Sequence, residues 1–285
     1  MQQESDFQLF SSLRYDPLLS GLPINTEHWD AEPKTGSPFY MLPFHRDRIL
    51  QAAEHFGWTE AAIKFHGREG FDILLKSISE AISQTSLTPL RVRILLSRDG
   101  SIRVESSPTP SVSQFNLFPE RGLPQPRGIE VKVSPLTGGA LMLGENDEAY
   151  GDPERSTPWD VMPDKERTPP TSFTSYKTTN RDMYTGARER VGIQDMTEKR
   201  EVLIVSERDG EIMEGSLTSV FLWRNGAWTT PPVASGGQIG TTRRWALEKG
   251  FCVEGVVRIE DLVDGEECWI SNGVRGFILG KIKLS

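Results

Sequence analysis

Between Pro108 and Pro126 the chain is rich in Pro, Ser and Gln and keeps no sustained hydrophobic period, the mark of a connecting stretch. What lies on either side must therefore fold around its own apolar pattern. On the amino-terminal side, Ile49, Leu50, Ala53 and Phe56 share a helical face over residues 45–57, and Gly57 stops the run. Phe71, Leu74, Leu75, Ile78 and Ile82 repeat at helical spacing over 69–84. Val92-Arg93-Ile94-Leu95-Leu96, an Asp99-Gly100 turn and Ile102-Arg103-Val104 read as a β-hairpin. Beyond the connecting stretch, strands are expected at Ile129–Val133, Val202–Val205, Ser219–Trp223, Val256–Ile259 and Glu267–Ile270, with helices at 181–191 and 242–249. Both parts mix helix and strand without regular βαβ alternation, so the expected class is α+β, in two lobes. The expected division is a small α+β domain over 1–122 and a larger one over 123–285. Residues 144–171 stand apart, with many charges, five prolines and few aliphatics. They read either as a disordered surface insertion or as a mobile lid.

Composition works by exclusion. A formal net charge of −8 gives no support to nucleic-acid binding, which needs a basic face. No apolar run reaches the roughly 18 residues of a membrane span. Cys252 and Cys268 form no disulfide framework, and the polar, acidic start from Met1 to Asp6 is unlike a secretory signal or transit peptide. The expectation is a cytoplasmic protein acting on a small molecule, without a metal site.

Three short stretches carry chemistry. Lys177-Thr178-Thr179-Asn180-Arg181, then Glu214-Gly215-Ser216, then Gly240-Thr241-Thr242-Arg243 supply a lysine, a carboxylate and a glycine-to-helix turn, in that order. Those are the parts a protein needs to hold and use pyridoxal phosphate: an amine for the Schiff base, an acid for the pyridine nitrogen, and backbone N–H groups for the phosphate. Each has a plainer reading. Lys177 is otherwise a solvated charge, although the alternation of Ser172-Phe173-Thr174-Ser175-Tyr176 could set it at a strand end facing the space between lobes. Glu214 is otherwise a turn acid, and Thr241-Thr242 an ordinary helix start. Arg48, in His45-Arg46-Asp47-Arg48-Ile49, is a surface helix arginine or a bidentate phosphate ligand.

Taken together, these stretches resemble the fold-type IV pyridoxal-phosphate enzymes, which include branched-chain aminotransferases, D-amino acid aminotransferases and aminodeoxychorismate lyases. The resemblance spans nearly the whole chain. Phe10-Ser11-Ser12-Leu13-Arg14 is similar to the family's "F-x-T-x-R" strand, and His45 to Ile49 to its "H-x-x-R-L" helix. Lys177 matches the Schiff-base lysine. Glu214 matches the pyridine partner in "E-x-x-x-x-N-(I/L/V)-F". Thr230-Pro231-Pro232 followed by Gly240 to Arg243 resembles "T-P-P … G-I-T-R". Two departures are visible: Ser219 stands where many members have Asn, and the usual strand before "F-x-T-x-R" is missing.

The resemblance implies a cofactor bound between two lobes, held by Arg48, Lys177, Glu214, Gly240, Thr241, Thr242 and Asn272, in a homodimer. Lys177-Thr178-Thr179-Asn180-Arg181 is closer to the "K-x-x-N-R" of aminodeoxychorismate lyases than to the "K-x-G-G-N-Y" of branched-chain aminotransferases. Asn272-Gly273-Val274-Arg275-Gly276 and the opening Phe7 to Tyr15 point the same way, toward the fungal lyases. The implied reaction turns 4-amino-4-deoxychorismate into 4-aminobenzoate and pyruvate in folate synthesis, with Lys177 moving protons. Arg14, Arg181 and Arg275 are the expected partners of the substrate's carboxylates. Two rivals stay open, a transaminase using the same cofactor and a non-catalytic α+β binding protein.

Overall fold

A computed structural model describes residues 7–29, 36–82, 86–126 and 157–284. Its first sheet holds β1 (Leu9–Tyr15), β2 (Leu90–Leu96) and β3 (Ile102–Pro108) in that order, all antiparallel. In β1 and β2 side chains alternate between faces, and the register pairs Leu9 with Leu96 and Leu13 with Val92. These residues face α1 (Leu42–His55), α2 (Thr59–Phe65) and α3 (Gly67–Ala81), and share a core with Ile49, Ala53, Leu74 and Ile78. Phe10, Ser12, Arg91 and Arg93 belong to the opposite face, away from the helices. Pro43 sits in the first turn of α1, where its missing N–H costs nothing, and Gly57 leaves the helix at φ +65°, a conformation costly for other residues.

The second sheet contains β4 (Trp159–Thr168), β5 (Arg200–Ser206), β6 (Ile212–Gly215), β7 (Ser219–Arg224), β8 (Ala227–Thr230), β9 (Val253–Glu254), β10 (Glu267–Asn272) and β11 (Gly276–Ile282). Its order is β6-β5-β4-β11-β10-β7-β8-β9. Most pairs are antiparallel, but β4 runs parallel to both of its neighbours, and β8 to β9. Two short helices, α4 (Gln114–Leu117) and α5 (Ser172–Ser175), precede α6 (Asp182–Arg190) and α7 (Thr241–Glu248). Helix α6 packs on β5 through Tyr184 and Ala187, against Val202 and Ile204. The mixed, two-lobed α+β architecture is as expected, and no described helix is long and apolar enough to cross a membrane.

Three local expectations change. The insertion expected over 144–171 is, over 159–168, the strand β4, set between β5 and β11. Its ladder is made by the backbone, so charged side chains do not prevent it; Pro163 falls where the register shifts, and buried Asp164 accepts two hydrogen bonds from Arg190, at 2.8 and 2.6 Å. Residues 144–156 and the strand expected at Ile129–Val133 lie outside the described residues. Val256–Ile259 is not a strand: its backbone bonds to Ile212 and Gly210 as an irregular edge, while Val253–Glu254 pair with β8. The connecting stretch is bound down, with Leu117, Phe118 and Leu123 buried against Trp245 and Phe277. Asn116 Nδ2 donates to the Phe277 carbonyl at 2.8 Å.

Candidate active site

Strand β1 joins the lobes. One edge pairs with β2; on the other, the Phe10 N–H donates to the Lys177 carbonyl at 3.0 Å and the Arg14 N–H to Gly273 at 2.9 Å. Lys177 is therefore held to β1 through its carbonyl, though not at a strand end as the alternation suggested. Thr171 caps a helical turn, α5, through a capping box, because its hydroxyl and that of Thr174 satisfy each other's backbone groups. Tyr176 then leaves that turn extended, stacked on His55 at 4.2 Å. Short-range hydroxyl chemistry overrides the two-residue period here.

Between the lobes lies a cavity of about 330 Å³, lined by Phe10 and Ser12 from β1, Arg91 and Arg93 from β2, and Arg48 from α1. Lys177, Arg181, Glu214, Gly240, Thr241, Thr242, Asn272 and Arg275 complete its wall from the other lobe. Burial, Arg181 and Arg48 hold the Lys177 amine well below the usual lysine range, against the opposing pull of Glu214. A neutral amine can act as nucleophile and base. Burial likewise pushes the Glu214 carboxyl up to about 7, although the Tyr184 hydrogen bond, Lys177 and Arg181 pull it back.

The Arg48 guanidinium is aimed by its neighbours. Arg48 Nη2 donates to Ser11 Oγ at 2.5 Å, and Ser11 Oγ lies 2.8 Å from Nδ1 of fully buried His45. Arg48 Nη2 also lies 3.4 Å from His45 Nδ1; since arginine can only donate, Nδ1 is an acceptor that takes the Ser11 hydrogen, which assigns the His45 proton to Nε2. Burial and Arg48 depress the His45 pKa, so the ring stays neutral. Across the cavity, Gly240 opens α7 with no side-chain cap, and a Cβ there would meet Ser219 Oγ at 2.3 Å. The two threonines differ. Thr242 Oγ1 is tied to Ser271 Oγ at 2.7 Å, whereas Thr241 Oγ1 has no partner.

These groups fit the cofactor that the resemblance implies. Arg48 Nε and Thr241 Oγ1 are buried polar atoms without a hydrogen-bond partner, and their residues line the cavity that also takes Lys177 and Glu214. A phosphate would satisfy both, next to the positive end of the α7 dipole. Asn272 reaches the wall, with Oδ1 committed to the Val274 and Arg275 N–H groups as the former of the β10–β11 turn.

The arginines sort differently from expectation. Arg14 does not line the cavity: it is fully buried, bonded through Nε to Asp16 at 2.9 Å and through Nη1 to the Pro110 carbonyl at 3.0 Å. The ion pair with Asp16, two residues away, and the Pro110 carbonyl hold its guanidinium away from the cavity. Arg181 lies over the Tyr184 ring at 4.2 Å with Nη1 unpaired, and Arg275 lies over Trp159 at 4.9 Å. Arg91 and Arg93 were not expected in the site. Their alternate spacing put them on one face of a strand, but only the helices packed on the other face show which side meets the cavity. Glu201 was also missed; its buried carboxylate accepts from the Ser216 N–H and from the hydroxyls of Ser216 and Thr218, at 3.1, 2.6 and 2.9 Å, and so shapes the turn after Glu214.

Residues 144–279 match the family pattern described as amino-transferase class IV. Saccharomyces cerevisiae aminodeoxychorismate lyase is 30% identical over 207 residues, 68% of this chain and 51% of that protein, so the chain spans about half the length of this relative. An amino-acid aminotransferase from Mesorhizobium loti, so assigned provisionally, superposes with a TM-score of 0.64 at 21% identity, covering 97% of this chain and all of that one (100%). A hypothetical aminotransferase from Mycobacterium tuberculosis in its PLP-bound form gives 0.59 at 15% identity, over 96% of this chain and 81% of the other. The two structural likenesses speak for the fold.

Proposed function

We propose that this chain, whose residues 144–279 and two-sheet architecture resemble the fold-type IV pyridoxal-phosphate proteins, holds that cofactor and converts 4-amino-4-deoxychorismate to 4-aminobenzoate and pyruvate, a step of folate synthesis. The observation that carries this reading is the charge of the cavity. In a chain of net charge −8, its wall holds Arg48, Arg91, Arg93, Arg181 and Arg275 against one carboxylate, Glu214. One phosphate seat uses Arg48. The others suit a ligand with two carboxylates, as aminodeoxychorismate has, better than a branched-chain amino acid with one and an apolar side chain. The name of the yeast relative supports the same choice.

When bound, pyridoxal phosphate supplies an aldehyde that captures amines and a ring that accepts the electron pair left by loss of a neighbouring proton. The chain's residues do the rest. Lys177 Nζ, neutral through burial and its arginine neighbours, takes the proton from the carbon bearing the substrate amine and returns one to the departing pyruvate. Glu214 partners the ring nitrogen. Arg48, Thr241 and the start of α7 hold the phosphate, and the remaining arginines orient the carboxylates. Loss of the enolpyruvyl group makes the ring aromatic, and the atoms of substrate and products balance without a second substrate. The same reading carries a homodimer, testable by light scattering, in the cytoplasm.

The deciding experiment supplies aminodeoxychorismate and no keto acid. Pyruvate and 4-aminobenzoate in equal amounts are expected. Turnover that begins only when an amino acceptor is added makes the protein a transaminase for dicarboxylates, the second reading that the cationic wall allows. Arg48→Ala is expected to weaken cofactor binding roughly tenfold or more, the loss of a charge-assisted contact of about 1.5–3 kcal/mol. An unchanged affinity in cofactor titration removes Arg48 from the phosphate seat. Arg93→Met keeps the bulk over Phe10, where the guanidinium lies 4.6 Å from the ring centroid. Its KM for aminodeoxychorismate is expected to rise by about ten- to hundredfold on the same energetic scale, with cofactor affinity unaltered. An unchanged KM takes Arg93 out of carboxylate recognition.

A further inference from the structure

Glu214 reaches the cavity with one oxygen already taken. The Tyr184 phenol, in the first turn of α6, donates to Glu214 Oε1 at 2.5 Å, and the ring is buried among Ala187, Val202, Ile204 and Met213. Tyr184 Oη also accepts from Gln238 Nε2 at 3.0 Å and lies 3.2 Å from the Thr174 carbonyl. A phenol has a single proton, contested by Thr174 and Glu214; the shorter contact, to an acceptor that carries charge, takes it. Arg181 over one face of the ring keeps it from turning away. Gly237 brings Gln238 into range, since a Cβ there would meet the Met213 carbonyl at 2.5 Å.

We propose that Tyr184 is a positioning residue for Glu214: it fixes the carboxylate through Oε1, turns the other oxygen in a set direction, and keeps the group ionised in a buried place. What the carboxylate then acts on, the ring nitrogen of the cofactor, rests on the function proposed above. The groups facing Glu214 are Tyr184 from α6, Arg181 at the residue before that helix, Lys177 from the segment after α5, Arg48 from α1, and the Gln238 backbone before α7. Among the influences that lower the Glu214 pKa against burial, the Tyr184 hydrogen bond comes first, ahead of both cations. Removing only that hydroxyl leaves every charge in place.

Tyr184→Phe in the full chain is the test, read first without cofactor. The infrared carboxyl band of Glu214, isolated by subtracting Glu214→Gln, is expected to titrate about one pH unit or more higher than in the wild type, the worth of one hydrogen bond to a charged group. Thermal unfolding checks that the variant is folded. Site-specific 3-fluorotyrosine at position 184, a stronger donor of the same shape, is expected to move the midpoint down. With cofactor and substrate, Tyr184→Phe should lower kcat about tenfold or more and leave KM nearly unchanged, since a carboxylate already protonated is lost to the transition state. A folded Tyr184→Phe protein with an unmoved Glu214 midpoint overturns the proposal, whatever its activity. A wild type that takes up no cofactor, while these midpoints move as expected, overturns the functional reading instead.

Discussion

Lys177→Ala abolishes turnover and removes the visible absorbance that borohydride bleaches, while the fold survives. Lys177 is the one lysine among the described residues lining the cavity, so no neighbour replaces its amine. General acid–base help alone is worth about 10²–10⁴-fold, and loss of the group that bonds to the cofactor comes on top of it. Stability rests elsewhere. The segment is held by its backbone, through the Phe10 N–H to Lys177 carbonyl bond and the Leu9–Thr178 bridge, both of which alanine keeps. The amine, neutral among Arg48, Arg91 and Arg181, lines the cavity rather than the apolar core, so its removal opens no hole in the packing. The unfolding free energy, followed by thermal or denaturant unfolding, should stay within about ±0.5 kcal/mol of the wild type, the range of an ordinary surface change. Colour that persists in the variant and still bleaches with borohydride shows that a different lysine carries the cofactor.

Glu214→Gln gives a yellow protein with very little activity. The carboxamide keeps the shape and can still accept from Tyr184, and the phosphate seat and Lys177 remain, so cofactor binds. The charge that keeps a ring nitrogen protonated is gone, and the deficit falls on kcat rather than on binding. A loss of about a hundredfold corresponds to roughly 2.7 kcal/mol of transition-state stabilisation. The wild type adds a pH signature with a definite sign. Burial lifts the carboxyl to about 7, so Glu214 is ionised above that pH and protonated below it. Turnover, which depends on the carboxylate, therefore falls as pH drops through about 7, and the residual activity of Glu214→Gln loses that dependence. Wild-type turnover in the variant sinks both the role and the motif match that assigned it.

That Lys177, Glu214 and the Gly240 turn belong together, as lining of one cavity, was legible in the sequence because the role expected of each rests on the chemistry of one side chain or one turn. A Schiff base needs an amine, a pyridinium needs an acid, and a phosphate needs free N–H groups at a helix start; nothing distant enters. The helices α1, α3, α6 and α7 and the β2–β3 hairpin were legible from their periods for the same reason. Strand β4 was not, because its ladder is a property of its neighbours: prolines and charges that read as an insertion are tolerated by a backbone paired on both sides. The arginines make the contrast sharpest. Arg14 and Arg91 stand directly across the β1–β2 ladder on the same face, yet Asp16 claims the first while the second reaches the cavity. Residue type and spacing determine what a side chain can do; only the packing of distant segments decides which partner reaches it first, because a guanidinium's donors go to whichever acceptor the fold brings within about 3 Å.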